Sequence, residues 1–176
     1  MTLFALEALG PRICIMGPSN SGKSTLTEAM SRKTNLPAIH LDQLYHLPGS
    51  NWVPRDNYEF LRLHKEVISQ EKWIIDGNYL KCIEARLERA TGLILFDLSL
   101  SASLLRYIQR CYSKRPMLGG LGTGREHIRW QMLKHLTLYR PDKRKRYRTV
   151  FTQADLPKLF LPTQEDVRAY YHSWHL

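Results

Sequence analysis

A short apolar run, Arg12-Ile13-Cys14-Ile15-Met16, leads straight into Gly17-Pro18-Ser19-Asn20-Ser21-Gly22-Lys23-Ser24, and a stripe with Leu26, Ala29 and Met30 on one helical face follows. Two isoleucines bounded by Gly10-Pro11 and Gly17-Pro18 predict a buried strand. Strand, glycine-bearing loop and helix in that order form the first half of a unit whose next strand returns in parallel through a right-handed crossover. Gly17 and Gly22 permit a tightly wrapped backbone whose N–H groups converge, and a helix starting near Lys23 aims the positive end of its dipole at the same space. The pattern G-x-x-x-x-G-K-S, continued by Thr25, suits a phosphate chain. Lys23 supplies a point charge for the outer phosphates and the Ser24 hydroxyl can ligate Mg2+. Residues 17–25 are therefore the candidate nucleotide-phosphate site.

Strand-like and helix-like segments alternate along most of the remaining chain. Strands are expected at residues 38–41, 73–75, 93–96 and 158–161, and helices at 57–70, 79–89 and 101–112. A last helix should open at Thr163, with Asp166 three residues on as a capping box and Val167, Tyr170, Tyr171 and Trp174 on its inner face. Such alternation predicts a five-stranded parallel sheet with helices on both faces, a three-layer α/β architecture that binds ligands at the C-terminal ends of its strands. Between these segments Gly119, Gly120, Gly122 and Gly124 suggest a hinge. A basic helical stretch at 125–139 follows, broken by Pro141, so residues 110–150 are expected to form a lid-like insertion in one domain spanning residues 1–176.

The 176 residues fit one domain, and 43% hydrophobic with 24% charged residues is globular composition. Cys14, Cys82 and Cys111 have neither the number nor the spacing of a disulfide scaffold or a zinc site. No apolar run nears the ~20 residues of a membrane span, and no leader pattern opens the chain; a soluble, cytoplasmic protein without a membrane partner is expected. Lysine and arginine number 26 against 16 acids, a net charge of +10 that favours anionic ligands.

Two acids fall where the phosphates should lie. Asp42 ends Ile39-His40-Leu41-Asp42, and Asp76 ends Trp73-Ile74-Ile75-Asp76. Asp76 suits the acid that holds magnesium, directly or through water; Asp42 suits a base or an orienting group for an acceptor hydroxyl. Asp97 also ends a strand, where a turn or cap role suits it better. Arg106 and Arg110 lie four apart on one helical face before the glycine cluster, placed to stabilise transferred charge from a mobile lid. Arg86 and Arg89 can read an acidic acceptor, and His40 and His46 flank Asp42. The run Asp142-Lys143-Arg144-Lys145-Arg146-Tyr147-Arg148 packs five basic residues into seven, which can hold nucleic acid or close over phosphates.

The order strand, phosphate loop, helix, then strands ending in Asp42 and Asp76, then a basic lid resembles the adenylate-kinase-like branch of P-loop kinases. Ile74-Ile75-Asp76-Gly77 is similar to a stretch of nucleoside monophosphate kinases. More narrowly, His40-Leu41-Asp42-Gln43-Leu44-Tyr45, Trp52-Val53-Pro54 and Trp73-Ile74-Ile75-Asp76-Gly77-Asn78-Tyr79 resemble a group of bacterial proteins labelled DNA topology modulation proteins. The resemblance implies ATP and Mg2+ as cofactors, a phosphoryl acceptor, and an adenine near residues 158–163. Adenylate kinases follow the aspartate-glycine pair with Phe-Pro-Arg to grip the acceptor's phosphate; this chain has Asn78-Tyr79-Leu80, and Tyr45 stands near the place of a second such arginine. Asp42, Tyr45, Asn78, Tyr79 and Arg86 form the candidate acceptor set. Shikimate- and gluconate-kinase-like enzymes use an acid at the second strand's end for a hydroxyl acceptor. Two functions follow: an ATP-dependent kinase with a small-molecule acceptor, or a nucleotide-dependent regulator that contacts DNA.

Overall fold

The computed structural model describes residues 4–50, 52–99, 101, 103–105, 108 and 140–176. Five strands, β1 (Arg12–Met16), β2 (Ala38–His40), β3 (Trp73–Asp76), β4 (Gly92–Phe96) and β5 (Lys158–Leu161), form one sheet in the order β2-β3-β1-β4-β5. All four pairings are parallel, as the alternating pattern predicts. The helices are α1 (Lys23–Thr34), α2 (Leu41–Tyr45), α3 (Asn57–Ile68), α4 (Ile83–Arg89), α5 (Arg140–Gln153) and α6 (Gln164–Ser173). Among the described residues no helix is long and apolar enough to cross a membrane.

Side chains alternate across the strands, and the two faces of the sheet carry separate cores. Ile13 and Ile15 of β1 join Leu26 and Met30 of α1 with Val167 of α6 and Trp174 just beyond it. Cys14 and Met16 point the other way, to Ile68 of α3 and Ile83 of α4, with Tyr147, Val150 and Phe151 of α5 packed on that cluster. Trp73 and Phe60 are fully buried, and a large apolar side chain so placed contributes about 1.5–3 kcal/mol. The sandwich holds the C-terminal ends of β1, β2 and β3 side by side, which brings residues 17, 42 and 76 to one edge.

Some boundaries differ from expectation for local reasons. The β2–β3 register ends at His40 opposite Asp76, so Asp42 lies two residues past the strand, in the first turn of α2. The helix expected from residue 79 starts as a 3-10 turn, Leu80–Cys82, and becomes α-helical at Ile83. Pro141 lies in the first turn of α5, a position that tolerates proline; the stretch 125–139 that it is expected to end lies outside the described residues. Thr163 and Asp166 form the expected capping box. Residues 101, 103–105 and 108 are helical, while Arg106, Arg110, the glycine cluster and the stretch 125–139 lie outside the described residues.

Candidate active site

The loop after β1 has the backbone that its glycines permit. Gly17 has φ 141°, and a Cβ there would sit 2.5 Å from the Phe96 carbonyl oxygen, so only glycine lets β4 pass this close. Gly22 caps α1 with φ 99°. Lys23 Nζ donates to the Pro18 carbonyl at 2.8 Å, folding the ammonium back over the loop. Asn20 has φ 61°, and its Nδ2 is a buried donor with no acceptor among the described residues. Ser24 and Thr25 follow in the first turn of α1, where N–H groups and the helix dipole favour an anion.

Asp76 is 4% exposed at the end of β3. Its Oδ1 lies 3.0 Å from His40 Nδ1, and His40 Nε2 lies 2.9 Å from Glu28 Oε1. Burial alone would lower the His40 pKa, but the hydrogen bonds and charges of Asp76 and Glu28 outweigh it and push it up to about 9. His40 is therefore an imidazolium at neutral pH, donating to both carboxylates. Asp76 Oδ2 is buried and has no partner among the described residues. A buried oxygen without a donor is costly unless a ligand completes it, and a carboxylate oxygen beside a phosphate loop fits the hard, oxygen-seeking Mg2+. These residues fit the metal that the sequence implies.

Across the same edge, the Tyr79 hydroxyl donates to Asp42 Oδ1 at 2.6 Å. Burial first, then the Asp42 charge, raises the Tyr79 pKa far above the usual phenol range, so it remains a donor. The Tyr45 ring packs at 5.0 Å on Tyr79 and at 5.2 Å on Phe60, and Lys81 Nζ stands over the Tyr45 and Phe60 rings. Asp42, Tyr45 and Tyr79 thus come together as one wall. His46 joins it through its Nδ1, 2.9 Å from the Asp42 carbonyl, whereas His40 turns to Asp76.

Two residues of the expected acceptor set lie elsewhere. The Asn78 side chain reaches the phosphate loop, with Oδ1 accepting from Gly17 N–H at 3.0 Å and Nδ2 donating to the Gly17 carbonyl at 2.9 Å. Arg86 is fully buried, donating through Nη2 to the Gly77 and Asn78 carbonyls at 3.1 and 3.3 Å. The helix pattern put its Cα on α4 correctly, but nothing in the pattern showed which face the guanidinium would take. Arg89 binds the Ile68 and Ser69 carbonyls at the far end of the sheet.

Asp97 carries more than a turn. It is 2% exposed and holds both Arg144 and Arg148 of α5 as ion pairs, Arg148 Nε at 2.7 Å from its Oδ2. A strand-end acid and two arginines four apart were both visible in the sequence; their pairing across 47 and 51 residues was not. A cleft of about 230 Å3 opens between α1 and α6, lined by Gly22, Thr25, Gln164, Val167, Arg168 and Tyr171.

No protein-family model matches the chain, and no curated protein matches it. Solved structures do. A gluconokinase from Sinorhizobium meliloti 1021 is 18% identical, covering 95% of this chain and 93% of its own, with a TM-score of 0.52. A shikimate kinase from Aquifex aeolicus vf5 is 20% identical over 93% and 96% of the two chains, TM-score 0.51. Another, from Bacteroides thetaiotaomicron, is 21% identical over 94% and 99%, TM-score 0.55. The five-stranded parallel sheet with its flanking helices matches these structures: the chain has the fold of the P-loop kinases.

Proposed function

We propose that this protein is an ATP-dependent kinase that transfers the γ-phosphoryl group to a hydroxyl of a small molecule. The observation that carries this reading is the meeting of three groups at one sheet edge: the Lys23 loop, Asp76 Oδ2 without a partner among the described residues, and Asp42 held by Tyr79. Backbone N–H groups of residues 17–25 and the Lys23 ammonium would cradle the phosphates, and the cleft against α6 would take the adenine. Bound Mg2+, held by Ser24 and Asp76, would neutralise charge on the phosphates. The acceptor oxygen attacks the γ-phosphorus as its proton passes to Asp42, and the bond from that phosphorus to the ADP oxygen breaks. Arg106 and Arg110 are assigned to the transferring oxygens on their spacing alone.

The burial of Arg86 weighs against an acceptor whose phosphate must be gripped from α4, as a nucleoside monophosphate would require in an adenylate-kinase-like arrangement. The solved neighbours are named gluconokinase and shikimate kinase, names that put small-molecule kinases on this fold. The resemblance to DNA topology modulation proteins supports the regulator reading less well, because Arg144 and Arg148 of the basic run are engaged with Asp97. ADP release from Mg-ATP, measured with sugar acids, nucleosides, nucleotides and short oligonucleotides, tests the reading. One small molecule should stimulate release; Asp42→Asn should remove that stimulation and keep nucleotide binding, and Lys23→Ala should lose both. Stimulation by oligonucleotide alone would favour the regulator.

A further inference from the structure

In a parallel pair each bonded residue donates to one partner carbonyl and accepts from the N–H two residues on, so the ladder is evenly spaced. Between β1 and β3 the register sets Ile15 opposite Asp76, and Gly77 N–H donates to the Ile15 carbonyl at 3.2 Å. One step further, a regular ladder would join Gly17 N–H to the Gly77 carbonyl and Tyr79 N–H to the Gly17 carbonyl. The chain does otherwise. Gly77 turns away with φ 126°, packed so close to α2 that a Cβ would lie 2.8 Å from Leu41 Cβ.

The Asn78 side chain takes over both vacated bonds, accepting from Gly17 N–H at 3.0 Å and donating to the Gly17 carbonyl at 2.9 Å. A carboxamide carries one acceptor and a donor in the arrangement of a peptide group, and the reversed orientation would set donor against donor. The Gly77 carbonyl, freed from the ladder, and the Asn78 carbonyl beside it both accept from Arg86 Nη2. Arg86 is 0% exposed, and its Nε and Nη1 meet no oxygen or nitrogen acceptor among the described residues, the buried Cys14 thiol being its polar neighbour there. A guanidinium buried so sparsely satisfied is a costly way to fill space; here it fixes two carbonyls next to the phosphate loop.

We propose that Asn78 and Arg86 are positioning residues for the phosphate loop: the Asn78 amide extends the β1–β3 ladder by one surrogate peptide and sets the path of Gly17, and Arg86 holds the turn that presents it. This rests on the reading of residues 17–25 as the nucleotide-phosphate site. Gly17 is thereby fixed on two sides, by Asn78 from β3 and by the close Phe96 carbonyl from β4. The following residue, Tyr79, bonds Asp42, so one turn ties the phosphate loop to the acceptor wall.

Binding of Mg2+ with a non-hydrolysable ATP analogue, read by calorimetry beside the melting temperature without nucleotide, tests the assignment. Asn78→Ala should weaken binding about tenfold, as the loss of two hydrogen bonds implies. Asn78→Asp should weaken it more, since its second oxygen would face the Gly17 carbonyl and its charge the phosphates. Arg86→Met, of similar length and without donors, should weaken binding while the melting temperature holds or rises. Variants that melt early yet bind within twofold of the wild type would overturn the proposal. Equal binding by wild type and Lys23→Ala would instead remove the nucleotide reading, and the positioning role with it. One readout needs no variant and no nucleotide: the Gly17 amide should be protected from hydrogen exchange in the native protein, and an unprotected Gly17 would contradict the assignment.

Discussion

Tyr79 and Asp42, 37 residues apart in sequence, meet in a 2.6 Å hydrogen bond at the C-terminal edge of the sheet. The bond occupies one carboxylate oxygen; in the proposed kinase the other receives the acceptor hydroxyl. Asp42→Asn should lower kcat by about 10²–10⁴-fold, the usual contribution of a positioned base, with little change in nucleotide affinity. Tyr79→Phe should cost far less, about tenfold in kcat, with the Mg-ATP KM unchanged. Steady-state kinetics of both variants decide the point, and an unaltered kcat in Asp42→Asn would remove it from the reaction.

His40 stands between Glu28 and Asp76 as a charged strut. In the proposed kinase, where Asp76 holds Mg2+, His40 aims its Oδ2, so His40→Gln, which cannot span both acids, should raise the Mg2+ concentration needed for half-maximal activity about tenfold. A titration of activity against Mg2+ at saturating ATP checks this. An unchanged half-saturation point would mean that Asp76 needs no such support.

The Asp97 carboxylate pins α5 to the end of β4 through Arg144 and Arg148. Removing the acid would strand two cations beside a desolvated strand end, a change that costs 3–5 kcal/mol for fully buried pairs. The arginine side chains are 40% and 55% exposed, and solvent screening reduces that figure. Asp97→Asn should therefore lower unfolding stability by about 1–3 kcal/mol in urea melts, whereas no change would show that α5 is held by its apolar contacts alone.

His64 gives the stability a pH dependence. Burial and the Arg86 charge pull its pKa down to about 4, and an unfolded histidine titrates near 6.5. Phe60 of the same helix covers its ring at 6.2 Å, and Arg86 of α4 faces it. Below pH 6.5 the unfolded chain takes up a proton that the native state refuses, so this contribution is complete above 6.5 and is lost as pH falls toward 4. The loss is at most ~3 kcal/mol. Denaturation at a series of pH values should show a shallower slope over that window in His64→Gln than in the wild type.

Most of the fold was legible because hydrophobic period and glycine placement are local properties. Arg12–Met16 is found with the bounds that its pattern predicts, α1 starts at Lys23 as expected, and the Thr163–Asp166 capping box announced α6. The site was legible where a motif fixes a backbone, as at residues 17–24. It was not legible where a side chain chooses between partners distant in sequence. Asn78 beside Tyr79 read as acceptor wall, yet the turn at Gly77 sends one to Gly17 and the other to Asp42. Arg86 read as a cation for an acidic acceptor, because nothing in the period of α4 distinguishes a guanidinium aimed at a ligand from one aimed at the two carbonyls of the turn after β3.

The central claim is group transfer to a hydroxyl, and phosphorus NMR of the protein turning over Mg-ATP with a small-molecule acceptor mixture tests it most directly. The account predicts a new phosphomonoester resonance that grows in step with ADP and is absent in Asp42→Asn and Lys23→Ala. ADP accompanied only by inorganic phosphate, or no ADP under any acceptor, would contradict it.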